Sequence, residues 1–177
     1  MKDKLGKYLQ DWRIDIVLPH IEGRLLDIGC GMNELVERYP DDGIGIDVYQ
    51  WGNVDILVED SSDLPFDDRS FDTVTVLAAL NHIPNRTEVL KEIHRVLKEN
   101  GKFLMTMIPP AISRVWHILR EPWDIDQHER GMVDGEVYGI RQKEVRRLLE
   151  ESGFSIYVEK RFMLGINCFT GARKSCR

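Results

Sequence analysis

The chain has 177 residues, 42% hydrophobic and 31% charged, which excludes a disordered polymer and suits one domain with one sizeable core. Its formal net charge of −6 disfavours loose, charge-driven attraction to nucleic acid or anionic lipid. Apolar stretches such as Val74 to Leu80 are far too short to cross a bilayer, and the opening MKDKLGKYLQDWR has no apolar signal core, so the expected compartment is the cytoplasm.

Asp3 to His20 carries Leu5, Tyr8, Leu9, Trp12, Ile16 and Val17 at helical spacing and ends near Pro19, so residues 1–22 read as an N-terminal helix. Arg24 to Ile28 is a short apolar strand, followed by Gly-Cys-Gly and a short helix from Glu34 to Tyr39. Gly43 to Val48 and Val54 to Val58 read as the second and third strands. Leu64-Pro65-Phe66-Asp67-Asp68 is turn chemistry. Phe71 to Ala79 is β-branched and nearly continuously apolar, as a strand covered on both faces should be. A helix follows, with Asn85 and Glu88 spaced as a capping box, Val89, Leu90, Ile93, Val96 and Leu97 as its buried stripe, and Gly101 as its left-handed exit. Lys102 to Ile108 is a fifth strand, stopped by Pro109-Pro110. Arg141 to Ser152 is a helix on Val145, Leu148 and Leu149, ended by Gly153. Phe154 to Phe162 and Ile166 to Ala172 are close enough for a hairpin, hence antiparallel.

This alternation predicts a doubly wound α/β fold, a mostly parallel sheet with an antiparallel C-terminal strand and helices on both faces. Residues 1–177 read as a single domain. Cys30, Cys168 and Cys176 lack C-x-x-C spacing and the five histidines are scattered, so neither a disulfide framework nor a metal site is expected.

In such sheets ligands sit at the carboxyl ends of the strands, near the point where strand order reverses. Leu25-Leu26-Asp27-Ile28-Gly29-Cys30-Gly31 is the first candidate element. Gly29 and Gly31 let the main chain approach a ligand, with Cys30 between them, and Asp27 either fixes the loop or receives an ammonium group. The dinucleotide spacing G-x-G-x-x-G fails, because Glu34 stands where the third glycine belongs and would meet a pyrophosphate with a carboxylate. Asp47, ending the second strand before Val48, is placed to accept from two ribose hydroxyls. Asp60, just past the third strand and beside Ser61, is placed to accept from an exocyclic amine. Taken singly, each acid also reads as an ordinary solvated turn residue.

In order and spacing, LLDIGCG, GIDV and EDSSDLPFDDRSFDTV resemble the motifs of class I S-adenosylmethionine-dependent methyltransferases, over roughly Gly23 to Ile108. The resemblance implies a Rossmann-like, seven-stranded sheet with the last strand antiparallel, and S-adenosylmethionine as cofactor. It implies Gly29 and Gly31 beside the methionine part, Asp47 on the ribose, Asp60 and Ser61 at the adenine, and Leu77 beside the cofactor facing the acceptor. Met32-Asn33-Glu34 departs from the small residues usual after the second glycine.

An acceptor that arrives protonated needs a base within hydrogen-bond reach. His82, in the loop Ala78 to Pro84 after the fourth strand, is the nearest choice, and His128 a second; each also reads as a structural histidine. No Asn/Asp-Pro-Pro-Tyr motif follows the fourth strand, which argues against nucleobase or glutamine amide acceptors. Residues 109–140 carry Ile112, Val115, Trp116 and Leu119 on one helical face, then Trp123 and Tyr138, and read as a segment covering the site. The expected acceptor is a small molecule or lipid-like compound; the competing readings are a catalytically silent partner subunit and a nicotinamide-dependent oxidoreductase. The oligomeric state is left open.

Overall fold

The structure, a computed structural model, describes residues 4–110, 112 and 134–175. The strands are β1 (Leu25–Ile28), β2 (Gly43–Asp47), β3 (Ile56–Leu57), β4 (Phe71–Leu77), β5 (Leu97–Met107), β6 (Phe154–Phe162) and β7 (Asn167–Lys174). They form one sheet in the order β3-β2-β1-β4-β5-β7-β6. Neighbours from β3 to β5 pair in parallel, and β7 runs antiparallel to both β5 and β6. Among the described residues, α-helices run over α1 (Lys4–Val17), α2 (Glu34–Arg38), α3 (Arg86–Val96) and α4 (Gln142–Glu151).

Strand alternation divides the core into two layers. Leu25 and Leu104 face one way, against Ile14 and Val17 of α1 and Leu35 of α2. Leu26, Ile28, Phe103 and Met105 face the other, against Val89, Leu90, Ile93 and Val96 of α3 and Val145, Leu148 and Leu149 of α4. Each such side chain, fully buried, contributes on the order of 1.5–3 kcal/mol. Covering both faces leaves β1 buried along its whole length and β4 buried along most of its own.

Several local expectations change. β3 is shorter than the five residues expected: Asp55 spends its carboxylate on the Gly45 N–H at 2.8 Å, and strand pairing starts at Ile56. The left-handed residue after α3 is Asn100 (φ 62°), not Gly101. Gly101 is needed for another reason, since a Cβ there would lie 2.9 Å from the Lys98 carbonyl oxygen and from Leu97. β5 starts at Leu97, opposite Phe71, earlier than expected, with a register shift before Thr73 pairs Lys102. Asn85 stands at the N-terminus of α3 but does not cap it, because its amide is drawn to Asp60 and Ser62.

From β1 the chain moves outward through β2 to β3, then returns to place β4 on the other side of β1. The reversal between β1 and β4 opens a crevice at their carboxyl ends.

Candidate active site

After β1 the chain turns sharply, with the N–H groups of Gly29 and Cys30 both donating to the Ile46 carbonyl, at 2.9 and 3.0 Å. Gly29 (φ 70°) and Gly31 (φ 56°) occupy the left-handed region. A Cβ on Gly29 would sit 2.7 Å from the Ala79 Cβ, whereas one on Gly31 would meet nothing within 4 Å. Asp47, buried at the end of β2, clamps this loop: Oδ2 accepts from the Gly31 N–H at 2.9 Å, and Oδ1 from the Tyr49 N–H at 3.1 Å.

The unusual Met32-Asn33-Glu34 has a local logic. Asn33 is left-handed (φ 64°) and buried, and its amide donates to the Asn53 carbonyl (2.9 Å) and Asp55 (3.0 Å), tying the start of α2 to the β2–β3 connection. Gly45 makes room, since a Cβ there would fall 1.9 Å from Asn33 Oδ1. Glu34 faces away toward Lys7 of α1.

A cleft of about 1090 Å³ lies over these strand ends. Gly29, Gly31, Asp47, Val48, Asp60, Ser61, Leu77 and His82 all line it, so the structure brings together most of the residues picked from the sequence. Asp27 and Cys30 do not line it. Asp27 is 3% exposed beneath the loop, where burial pushes its carboxyl up to about 7 despite a 2.6 Å hydrogen bond from the Thr75 hydroxyl; the nearby Asp47 charge pushes the same way. Cys30 is buried, and burial, then the charges of Asp27, Asp47 and Asp55, raise its thiol. Asp60 is held low, by the Ser62 N–H first and then by the Asn85 amide.

Beyond β4, Ala78 is left-handed (φ 54°) and Leu80–His82 make a tight 3₁₀ turn. Residues 134–140 are strapped to this turn. The Val137 N–H donates to the Asn81 carbonyl (3.0 Å), the Asn81 amide returns to the Val137 carbonyl (3.2 Å), and Arg86 bridges the Asn81 and Gly135 carbonyls. The strap brings Glu136 to the cleft, its Oε2 3.4 Å from His82 Nδ1. Glu136 was not foreseen, nor were Gln10 of α1, Trp51 and Asn85 as cleft residues. Glu136 follows Gly135 in an unpatterned stretch, and no local signal marks it. His128, and most of the covering segment 109–140, lie outside the described residues.

The glycine corner has room for an adenosyl sulfonium ligand: main chain opens on the cleft at Gly31, and the carboxylates of Asp47 and Asp60 line the same cleft. The methyltransferase domain family matches residues 26–105. The chain is 27% identical to the demethylmenaquinone methyltransferase of Thermotoga maritima, over 86% of this chain and 68% of that protein. It is 32% identical to the uncharacterized protein MJ1252 of Methanocaldococcus jannaschii, over 87% of this chain and 72% of that one. Among solved structures it resembles the PH0226 protein of Pyrococcus horikoshii, with TM-score 0.74 at 19% identity, covering 98% of this chain and 93% of the other. The chain belongs to the class I S-adenosylmethionine-dependent methyltransferases. It is accordingly an enzyme of methyl transfer with S-adenosylmethionine as its cofactor, rather than a nicotinamide-dependent oxidoreductase.

Proposed function

We propose that the chain works as one domain and moves the methyl group by in-line displacement onto a small-molecule or lipid-like acceptor. The observation that carries this reading is the open corner at Gly31, with Asp47 on one side and the Leu77-to-His82 turn on the other. The bound cofactor supplies an electrophilic methyl carbon, so alignment accounts for most of the catalysis. Gly29 and Gly31 admit its methionine end, Asp47 accepts from the ribose hydroxyls, and Asp60 with Ser61 receives the adenine amine. Val48 and Leu77 flank the bound molecule. Asp27 and Cys30 act from behind, shaping the loop.

Arg13 adds support. It lies three residues along α1 from the cleft residue Gln10, and residues so spaced share a helix face. Its Nε is buried and meets no hydrogen-bond partner among the described residues. A carboxylate such as the cofactor's own is the group such a donor lacks.

The apolar part of the wall, from Trp51, Leu77, Ala79, Ile83 and Pro84, suits an apolar or ring-bearing acceptor. One relative is named for demethylmenaquinone, a compound of that kind. Titration calorimetry tests the reading: S-adenosylhomocysteine should bind, NAD should not, and Asp47→Ala should weaken binding at least tenfold. Heat from NAD comparable to that from S-adenosylhomocysteine would overturn it.

A further inference from the structure

We infer that His82 and Glu136 form a base assembly, and that the acceptor therefore arrives with its nucleophile protonated, as a hydroxyl. This rests on the methyl-transfer reading and adds the chemistry the acceptor must bring.

The His82 side chain is 27% exposed and lines the cleft just beyond the strand end at Leu77. Glu136 sits behind it, 2% exposed, with Oε2 3.4 Å from Nδ1. A carboxylate on Nδ1 holds the proton there, which makes Nε2 the acceptor atom of the neutral ring and fixes the ring plane. Burying a carboxylate is expensive, and a glutamine oxygen would orient the ring at far lower cost. What the carboxylate adds is stabilisation of the imidazolium formed when Nε2 takes a proton. That benefit comes into use when Nε2 takes a proton.

The assembly is built into the fold. Three backbone-directed bonds from Arg86, to Leu80, Asn81 and Gly135, lock the His82 turn to the strap carrying Glu136. Among the described residues, the charged groups near the pair include Arg86, which the charges of both Glu144 of α4 and Glu136 reach, and Glu59 and Asp60 on the cleft wall, Asp60 being engaged by Asn85. Of these carboxylates, Glu136 is the one that pairs with the His82 ring, at 3.4 Å.

In the step, His82 Nε2 takes the hydroxyl proton while the oxygen's electron pair bonds to the methyl carbon and the carbon–sulfur pair leaves with sulfur. In a hydroxylated ring the same electron pair can act through a conjugated ring carbon; that carbon then loses its own proton to water, and the ring oxygen takes one proton back from solvent. The products are the methylated acceptor, S-adenosylhomocysteine and an imidazolium that returns its proton to solvent. His82 is the catalytic residue and Glu136 a positioning residue.

Two measurements test this. In ¹⁵N spectra of the S-adenosylhomocysteine complex, the neutral ring of His82 should be the Nδ1–H tautomer, and Glu136→Ala should mix the tautomers; an Nε2–H ring in the wild type overturns the proposal. Methyl transfer is then followed to 1,4-naphthohydroquinone, kept reduced, from pH 6 to 10. His82→Ala should lower kcat/KM about 100-fold near neutral pH, and Glu136→Gln should lower it about tenfold, with partial recovery in Glu136→Asp. Both losses should shrink as pH rises and the hydroxyl ionises unaided, while S-adenosylhomocysteine affinity stays within twofold. A loss independent of pH, or a parallel loss of affinity, would mark the pair as a strap and overturn the base role. A wild type that binds S-adenosylhomocysteine but leaves the hydroquinone unmethylated overturns the acceptor class alone. Failure to bind S-adenosylhomocysteine overturns the methyl-transfer reading beneath it.

Discussion

Gly29 and Gly31 are two residues apart, share one loop and are both left-handed, yet alanine at each should fail differently. At Gly31 the new Cβ meets no atom within 4 Å, so stability loses only the left-handed penalty of about 1–2 kcal/mol. The lower entropy of the unfolded chain offsets part of it, by roughly 0.4–1 kcal/mol. The methyl does project where the ligand should lie, and S-adenosylhomocysteine affinity should fall at least tenfold, about 1.4 kcal/mol. At Gly29 the same penalty applies, and the Cβ also comes 2.7 Å from the Ala79 Cβ, so β1 and the post-β4 turn must part by about 1 Å to reach ordinary contact. Overpacking of that kind adds about 1–3 kcal/mol. With each kcal/mol worth about 2–4 °C in a domain of this size, Gly31→Ala should melt within a few degrees of wild type and Gly29→Ala roughly 5–15 °C lower. Thermal unfolding of the ligand-free proteins, paired with calorimetry, reads both. If Gly31→Ala bound S-adenosylhomocysteine within twofold of wild type, the ligand would not occupy that corner, and the reasoning would be wrong.

Asp27 gives a pH prediction. Its carboxyl is raised from 3.8 to about 7 in the folded chain, so folding is unpenalised below the unfolded value and loses stability as pH climbs toward the folded one. Asp27→Asn should therefore gain on wild type from near zero at pH 4 up to an upper limit of about 4 kcal/mol above pH 7; a difference flat across that range in denaturant titrations would refute the burial argument. Asn33→Ala loses two hydrogen bonds and leaves alanine left-handed, which should cost about 2–4 kcal/mol by urea unfolding, while Asn33→Gly should recover the backbone part only. Arg13, pulled down to about 10 by burial, keeps a buried Nε that meets no partner among the described residues, so Arg13→Met should not lower the melting temperature yet should weaken S-adenosylhomocysteine at least fivefold. A fall in stability with unchanged affinity would show that Arg13 serves packing alone.

What could be read from the chain was whatever repeats with the period of a helix or strand. The stripes on α3 and α4 and the two-sided runs of β1 and β4 were legible because burial imposes them at short range. Asp47 and Asp60 were legible because a strand's carboxyl end is a place the sequence marks. Competition was not. Asn85 has the right spacing to cap α3, yet Asp60, 25 positions earlier, offers its amide a charged acceptor. Asn100 and Gly101 are both plausible left-handed residues, and only the approach of Leu97 and the Lys98 carbonyl decides that glycine must be the second. Glu136 meets His82 across 54 positions, through a strap held by Asn81 and Arg86, and nothing in its own neighbourhood announces that.

The departure at Glu34 now has a physical context. Asp27, Asp47 and Asp55 all lie close enough to act on the Cys30 thiol, and each raises it further beyond what burial does. The loop that opens on the cleft is therefore held in a negative field, made by residues that also do structural work: Asp47 clamps Gly31, and Asp55 pins Gly45 and Asn33. A pyrophosphate entering that corner would meet repulsion from several sides, with Gly31's N–H already committed to Asp47 instead of to a phosphate oxygen. A sulfonium meets the opposite. On the proposed placement, the carboxylates that build the turn should favour a sulfonium over a pyrophosphate at this corner.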